Sequence, residues 1–195
     1  MKRLNLIKKS ISLILILAAC MAFTACKGDN SDLNADFDIK DTRGKITIIN
    51  FWGTWCPYCL EELPDFKRIA EREDVNVIAV HSTSVGSVTA ENYIKENIGS
   101  SKITFLWDTR SEGKNLDDYY TALGGSGSYP YTVILNSDGV ITGILRGKTN
   151  YISLSNEIAN AEEYAEKNFV EQRDEGYAIG NICPTKTLKR IAIDN

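Results

Sequence analysis

Two cysteines separated by two residues, Cys56 and Cys59 in the run Trp55-Cys56-Pro57-Tyr58-Cys59, are the residues of this chain best equipped to do chemistry. They follow directly on the apolar stretch Ile46-Thr47-Ile48-Ile49-Asn50-Phe51-Trp52. That order puts them at the junction of a buried strand and a helix. A helix N-terminus lowers the pKa of the first thiol, and the second lies one turn on, close enough to form a disulfide. The chemistry open to such a dithiol is thiol–disulfide exchange. A Cys-x-x-Cys pair alone is a moderate signal; the strand before it and the helix after it make this one strong.

The other reactive side chains are few. A zinc site would need four ligands, and only His81, the single histidine, and the distant Cys183 could complete Cys56 and Cys59. No metal site and no cofactor are therefore expected. The five cysteines are too unevenly spaced for a disulfide framework, in a domain large enough to hold without one. A formal net charge of −4 gives no sign of nucleic-acid binding. The 195 residues, 43% hydrophobic and 25% charged, suit one globular domain with extra segments.

The elements that must hold the dithiol can be read from periodicity. Asp36 to Ile39 alternates like a short first strand, and Thr42 to Lys45 is a turn. Lys45 to Phe51 reads as a strand buried on both faces. Pro57 suits the first helical position, and the helix should run to about Arg72 with Leu60, Leu63, Phe66, Ile69 and Ala70 on one stripe, kinked at Pro64. Val75 to Val80 is a strand, Thr89 to Asn97 a helix, Ile103 to Trp107 a strand and Gly113 to Leu123 a helix. Gly124 to Ser128 is a flexible loop before a strand at Tyr129 to Leu135. Asn136 to Gly139 turns the chain into a hairpin with Val140 to Leu145, and a long helix spans Ile152 to Gln172. This order implies an α/β protein with a mixed central sheet and helices on both faces.

The N-terminus reads as an export signal. Lys2, Arg3, Lys8 and Lys9 precede the apolar run Ile11 to Phe23, which falls short of the ~20 residues that span a bilayer. The alternative is an uncleaved anchor. Leu17-Ala18-Ala19-Cys20 and Phe23-Thr24-Ala25-Cys26 both resemble the lipobox of bacterial lipoproteins, whose Cys is lipidated. Cys26 is favoured, having a longer apolar run before it and polar residues after it; Cys20 is the alternative. Residues 1–26 are then a signal peptide with lipobox and 27–35 a linker, and the domain sits on the extracytoplasmic face of the membrane, where disulfide chemistry is possible.

With these elements placed, the chain resembles the thioredoxin superfamily, and within it the membrane-tethered TlpA/ResA-type thiol-disulfide oxidoreductases. The resemblance rests on Asn50-Phe51-Trp52-Gly53-Thr54-Trp55-Cys56-Pro57-Tyr58-Cys59, on Glu62 and Pro64, on Tyr129-Pro130-Tyr131-Thr132 and on Asn136 to Gly139. It implies a thioredoxin-like domain over 36–173, with Cys56 as exposed nucleophile and Cys59 as resolving thiol. Pro130 is expected to be a cis-proline facing the dithiol, with Tyr129 offering its backbone to substrate and Trp55, Pro57 and Tyr58 shaping the contact surface. Many thioredoxins carry a buried Asp, the resolving thiol's proton acceptor, where this chain has Asn50. Some relatives use a Glu after the third strand; here that place is taken by His81-Ser82-Thr83-Ser84. His81 and Glu62 are the candidates for proton transfer, against the plainer readings of a hydrogen-bonded strand-end His and a helix-surface carboxylate.

The resemblance further implies a protein-disulfide reductase acting on exported proteins and recharged by a membrane electron carrier of the CcdA type. The rivals are a disulfide-forming oxidant, a copper-binding module on Cys56, Cys59 and His81, and a redoxin-type peroxidase. Copper carriers of this fold space their cysteines by three residues, and the peroxidase pattern has a lone Cys. Residues 174–195 contain Gly180-Asn181-Ile182-Cys183-Pro184, which resembles the opening of a second such domain. A hairpin on its own domain and a loose tail are the alternatives, with Cys183 an incidental thiol.

Overall fold

The computed structural model describes residues 36–83, 87–167, 176, 179–191 and 193. The export signal with Cys20 and Cys26, the linker 27–35, Ser84 and the expected end of the last helix at 168–172 lie outside them.

Seven strands form one mixed sheet: β1 (Phe37–Asp38), β2 (Ile46–Trp52), β3 (Val75–His81), β4 (Thr104–Trp107), β5 (Tyr131–Leu135), β6 (Ile141–Arg146) and β7 (Thr187–Arg190). Their spatial order is β1-β7-β4-β3-β2-β5-β6. β2, β3 and β4 run parallel, while β5 pairs antiparallel with β2 and with β6. All seven residues of β2 are buried, as its β-branched run requires at the centre of a sheet covered on both sides.

The pleat sorts the core into two layers. On one face Ile48, Trp52, Val77, Ala79, Phe105 and Ile134 pack with Leu63, Phe66 and Ile69 of α1 (Pro57–Ala70) and Leu154 and Ile158 of α4 (Tyr151–Lys167). α2 (Ser87–Tyr93) and the π-turn Ile94–Ile98 that follows it bring Ala90, Ile94 and Ile98 to this layer. On the other face Ile49, Phe51, Ile78, Val80 and Val133 meet Tyr119 and Tyr120 of α3 (Asp118–Ala122), with Leu123 just after it. Helices thus cover both faces, as the element order implies.

Three elements differ from their expected form. The helix expected over Gly113 to Leu123 is confined to Asp118–Ala122, because Gly113 takes φ +78° and the residues before the helix are tied by side chains. Ser111 Oγ and Lys114 Nζ donate to Asp118, and Arg110 donates to Asp117. The first strand stops at Asp38 and gives way to a 3-10 turn over Ile39–Thr42, where the Asp38 carboxylate accepts the Lys40 N–H. The buried stripe of α1 includes Cys59 and Glu62 with Leu63, Phe66, Ile69 and Ala70, whereas Leu60 is only half-buried. At the C-terminus, β7 inserts between β1 and β4, antiparallel to both, so residues 187–190 belong to the sheet of the dithiol domain.

Candidate functional site

β2 delivers the chain to the dithiol. After Trp52 a tight turn is closed by the Cys56 N–H, which donates to the Gly53 carbonyl at 3.0 Å. A Cβ at position 53 would lie 2.6 Å from the indole nitrogen of Trp55, so only glycine lets that ring fold back over the turn. Cys56 is the N-cap of α1, in extended conformation, and its sulfur accepts the Cys59 N–H at 3.2 Å. Pro57 fills the first helical position, where no N–H is missed. Cys56 and Cys59 are joined in a disulfide with their Cα atoms 5.3 Å apart. Cys59 is fully buried and Cys56 is 5% exposed, less open than the expectation of an exposed nucleophile. Bonded to Cys59, the sulfur of Cys56 lies at the margin of the apolar layer under α1.

The register gathers the other residues at this end of the sheet. His81 stands beside Trp52, Trp107 beside His81, and Tyr131 opposite Phe51, which brings Tyr129 and Pro130 next to the end of β2. The Tyr129–Pro130 peptide is cis. The Trp55 ring meets Tyr129 edge-on at 5.0 Å, and Tyr129 stacks on Tyr120 at 4.6 Å. Tyr120 in turn holds the glycine-rich loop, since its hydroxyl donates to the Ser128 carbonyl and accepts the Gly127 N–H. Trp55 and Tyr58 remain 44% and 62% exposed, forming an aromatic rim next to the dithiol.

Beneath the rim lies a polar cluster whose members come from four elements. Glu62, three residues after Cys59 and so on the same helix face, is fully buried rather than on the helix surface. Its Oε1 accepts from Asn50 Nδ2 at 2.8 Å, and its Oε2 accepts the Thr149 N–H at 2.9 Å. Asn50 Nδ2 also donates to Thr132 Oγ1 at 3.1 Å, across the β2–β5 ladder. Burial pushes the Glu62 carboxyl up to about 7; the two donors and nearby Lys148 oppose that rise without cancelling it. A carboxyl poised near neutrality one helical turn from Cys59 can take up and return a proton.

His81 occupies a different post. It is fully buried between Trp52 and Trp107, with ring centroids 4.7 and 4.9 Å away. Its Nε2 accepts the Thr54 N–H at 3.2 Å, and burial pushes it down to about 4, so the ring is neutral with its acceptor nitrogen engaged in bracing the turn. The structure therefore groups Glu62 with Asn50 and the helix of the dithiol, and sets His81 under the turn. Sequence reasoning missed Thr149. No local pattern points to it, because its contact with Glu62 spans 87 residues. Among the described residues no three His, Cys, Asp or Glu side chains cluster so as to hold a metal ion.

This fold and dithiol define a thioredoxin-like protein. A family model described as Redoxin matches residues 20–164, and the chain belongs to that family. It is similar to the thioredoxin-like protein YneN of Bacillus subtilis, 32% identical over 108 residues that cover 54% of this chain and 59% of YneN. The thiol-disulfide oxidoreductase ResA of Geobacillus thermodenitrificans is 26% identical over 166 residues, covering 75% of this chain and 90% of that protein. The chain spans less than two thirds of the length of several curated relatives it matches, YneN among them. Among solved structures, a putative thioredoxin from Neisseria meningitidis superposes with a TM-score of 0.55 at 22% identity, over 70% of this chain and 93% of that one, which supports the fold.

Proposed function

We propose that this protein is an extracytoplasmic thiol-disulfide oxidoreductase that reduces disulfides of exported proteins through Cys56 and Cys59. The observation that carries the reading is the dithiol at the start of α1 with a buried carboxyl, Glu62, one turn further along the same helix face. In the reduced protein the Cys56 thiolate, stabilised by the helix N-terminus and the Cys59 N–H, attacks one sulfur of a client disulfide. The client bond breaks, a Cys56–client disulfide forms, and the departing client thiolate takes a proton from water. Cys59 then gives its proton to Glu62 and attacks the Cys56 sulfur. The second client thiolate leaves, two electrons have passed to the client, and Cys56–Cys59 is oxidised. Trp55, Tyr58 and the backbone at Tyr129 and Pro130 supply the surface on which the client chain lies.

Recharging requires a dithiol donor in the membrane, of the CcdA type. The lipobox-like Phe23-Thr24-Ala25-Cys26 supports attachment through Cys26, with Cys20 as the other candidate. Among the described residues no helix is long and apolar enough to cross a membrane. Trapping tests the reading. A Cys59→Ser variant should accumulate clients in mixed disulfide through Cys56, identifiable by mass spectrometry. Equal trapping by Cys56→Ser would show the assignment of nucleophile and resolving thiol to be wrong, and a reduction potential close to that of strong oxidants would turn the direction of transfer.

A further inference from the structure

We propose that Asn50 is the positioning residue that keeps Glu62 seated in both of its protonation states, turning its side-chain amide so that nitrogen faces the carboxylate and oxygen faces the carboxylic acid. The inference rests on the proposed proton transfer between Cys59 and Glu62 and deepens it.

The hydrogen bonds force the point. The Thr149 N–H fixes Oε2 of Glu62 as an acceptor, so Oε1 is the oxygen that confronts Asn50. While Glu62 is ionised, Oε1 needs a donor. Asn50 provides one hydrogen of its Nδ2 and gives the other to Thr132 Oγ1. Both hydrogens are used, and the amide oxygen Oδ1 is buried without a partner. Once a proton arrives on Oε1, an O–H would point at an N–H, and two donors cannot bond. Half a turn of the amide brings Oδ1 into that place. Its two lone pairs then accept from the Glu62 O–H and from the Thr132 O–H. A hydroxyl serves equally well as acceptor in the first arrangement and donor in the second, so Thr132 suits both.

An Asp at position 50 would set carboxylate against carboxylate, and an aliphatic residue could answer neither state. The charged groups facing Glu62 are Lys148, in the loop before α4 and paired with Glu61, and Asp65 on α1. Asn50 and Thr132, from β2 and β5, are neutral, so the amide adds a donor or an acceptor as needed without adding charge.

Nuclear magnetic resonance of the isotope-labelled full-length chain tests this directly. At about pH 9, with the carboxyl ionised, the Asn50 amide protons should show cross-relaxation to the Thr132 methyl group. At about pH 5 that contact should be lost, with a midpoint matching the Glu62 carboxyl carbon. In Glu62→Gln the Thr149 N–H holds the glutamine oxygen, so the glutamine nitrogen faces Asn50 and the amide should stay turned at every pH. Amide protons that remain beside Thr132 at both pH values, or in Glu62→Gln, would overturn the proposal. Asn50→Ala, which takes the donor from the ionised form and the acceptor from the acid alike, should move the midpoint of the rate–pH profile for disulfide reduction by well under about one pH unit. A rise of about a full unit or more, the result expected if the amide serves the carboxylate alone, also counts against it. If the amide turns in the wild-type protein and yet no disulfide is reduced, the oxidoreductase reading fails and this inference stands.

Discussion

Glu62 and His81 are both fully buried, and burial moves them in opposite directions, to about 7 and about 4. The folded protein therefore holds the Glu62 proton more tightly than the unfolded chain does, and the His81 proton less tightly. The stability due to Glu62 is complete below its unfolded value of 4.5 and is lost as pH rises through about 7. The stability due to His81 is complete above 6.5 and is lost as pH falls through about 4. Across their shared window the two slopes oppose each other, so neither is visible in the wild-type protein alone. Replacing Glu62 by Gln should remove one of them. Relative to that variant, the wild-type protein should gain roughly 3 kcal/mol as pH falls from about 7 to about 4.5. Urea midpoints measured at both ends of the window check this, and parallel pH profiles for the two proteins would refute it. The same proton governs catalysis in the proposed mechanism. Client reduction should rise with pH through about 7, and Glu62→Gln should flatten that rise and lower the rate by about 10²-fold or more. Stopped-flow assays across pH would show it.

At the scale of elements, α3 shows how short pieces come to shape a site. A helix of five residues cannot stand alone in water. Asp108, at the end of β4 and fully buried, accepts the N–H groups of Thr109, Tyr119 and Tyr120, and so caps the helix from outside it. That bond fixes Tyr120, on which Tyr129 stacks, which in turn meets Trp55 beside the dithiol. Asp108→Ala should cost about 1–3 kcal/mol, the range for losing a cap and leaving buried N–H groups unpaired. Chemical denaturation measures the loss, and an unchanged midpoint would show that the helix is held by its ring packing alone. The expected helix over Gly113 to Leu123 was partly legible because its apolar positions suit a helix. Its true start was not, since Asp117 just before it is tied to Thr83 and its first N–H groups are capped by Asp108, both from the ends of other strands.

For the whole molecule, β7 joins residues 187–190 to the first strand of the sheet. β1 pairs with β7, and β7 pairs with β4, so the last strand seals the sheet between them. Leu188 carries the packing, buried against the layer that holds Ile39, Phe51 and Tyr119. Leu188→Ala should destabilise the protein by about 2–4 kcal/mol and speed amide exchange in β1 and β4 before the rest of the sheet. Global exchange at a single rate would show instead that the strand is one unit with the centre.

The sequence by itself determined the dithiol, the strand that delivers it, the helix that follows and the alternation that gives the sheet two covered faces. These are matters of period and of neighbours along the chain, which local sterics and hydrophobic burial dictate. Only the tertiary structure decided what surrounds the thiols. Glu62 looked like a surface carboxylate because glutamates favour water, although its place three residues after Cys59 already put it on the inner stripe. Its partners Asn50 and Thr149 come from β2 and from a loop 87 residues away. His81, equally eligible for proton transfer by residue type, ends with its acceptor nitrogen engaged by Thr54. A side chain's chemistry is written in its residue type. Its charge state depends on desolvation and on donors that arrive only when the sheet closes.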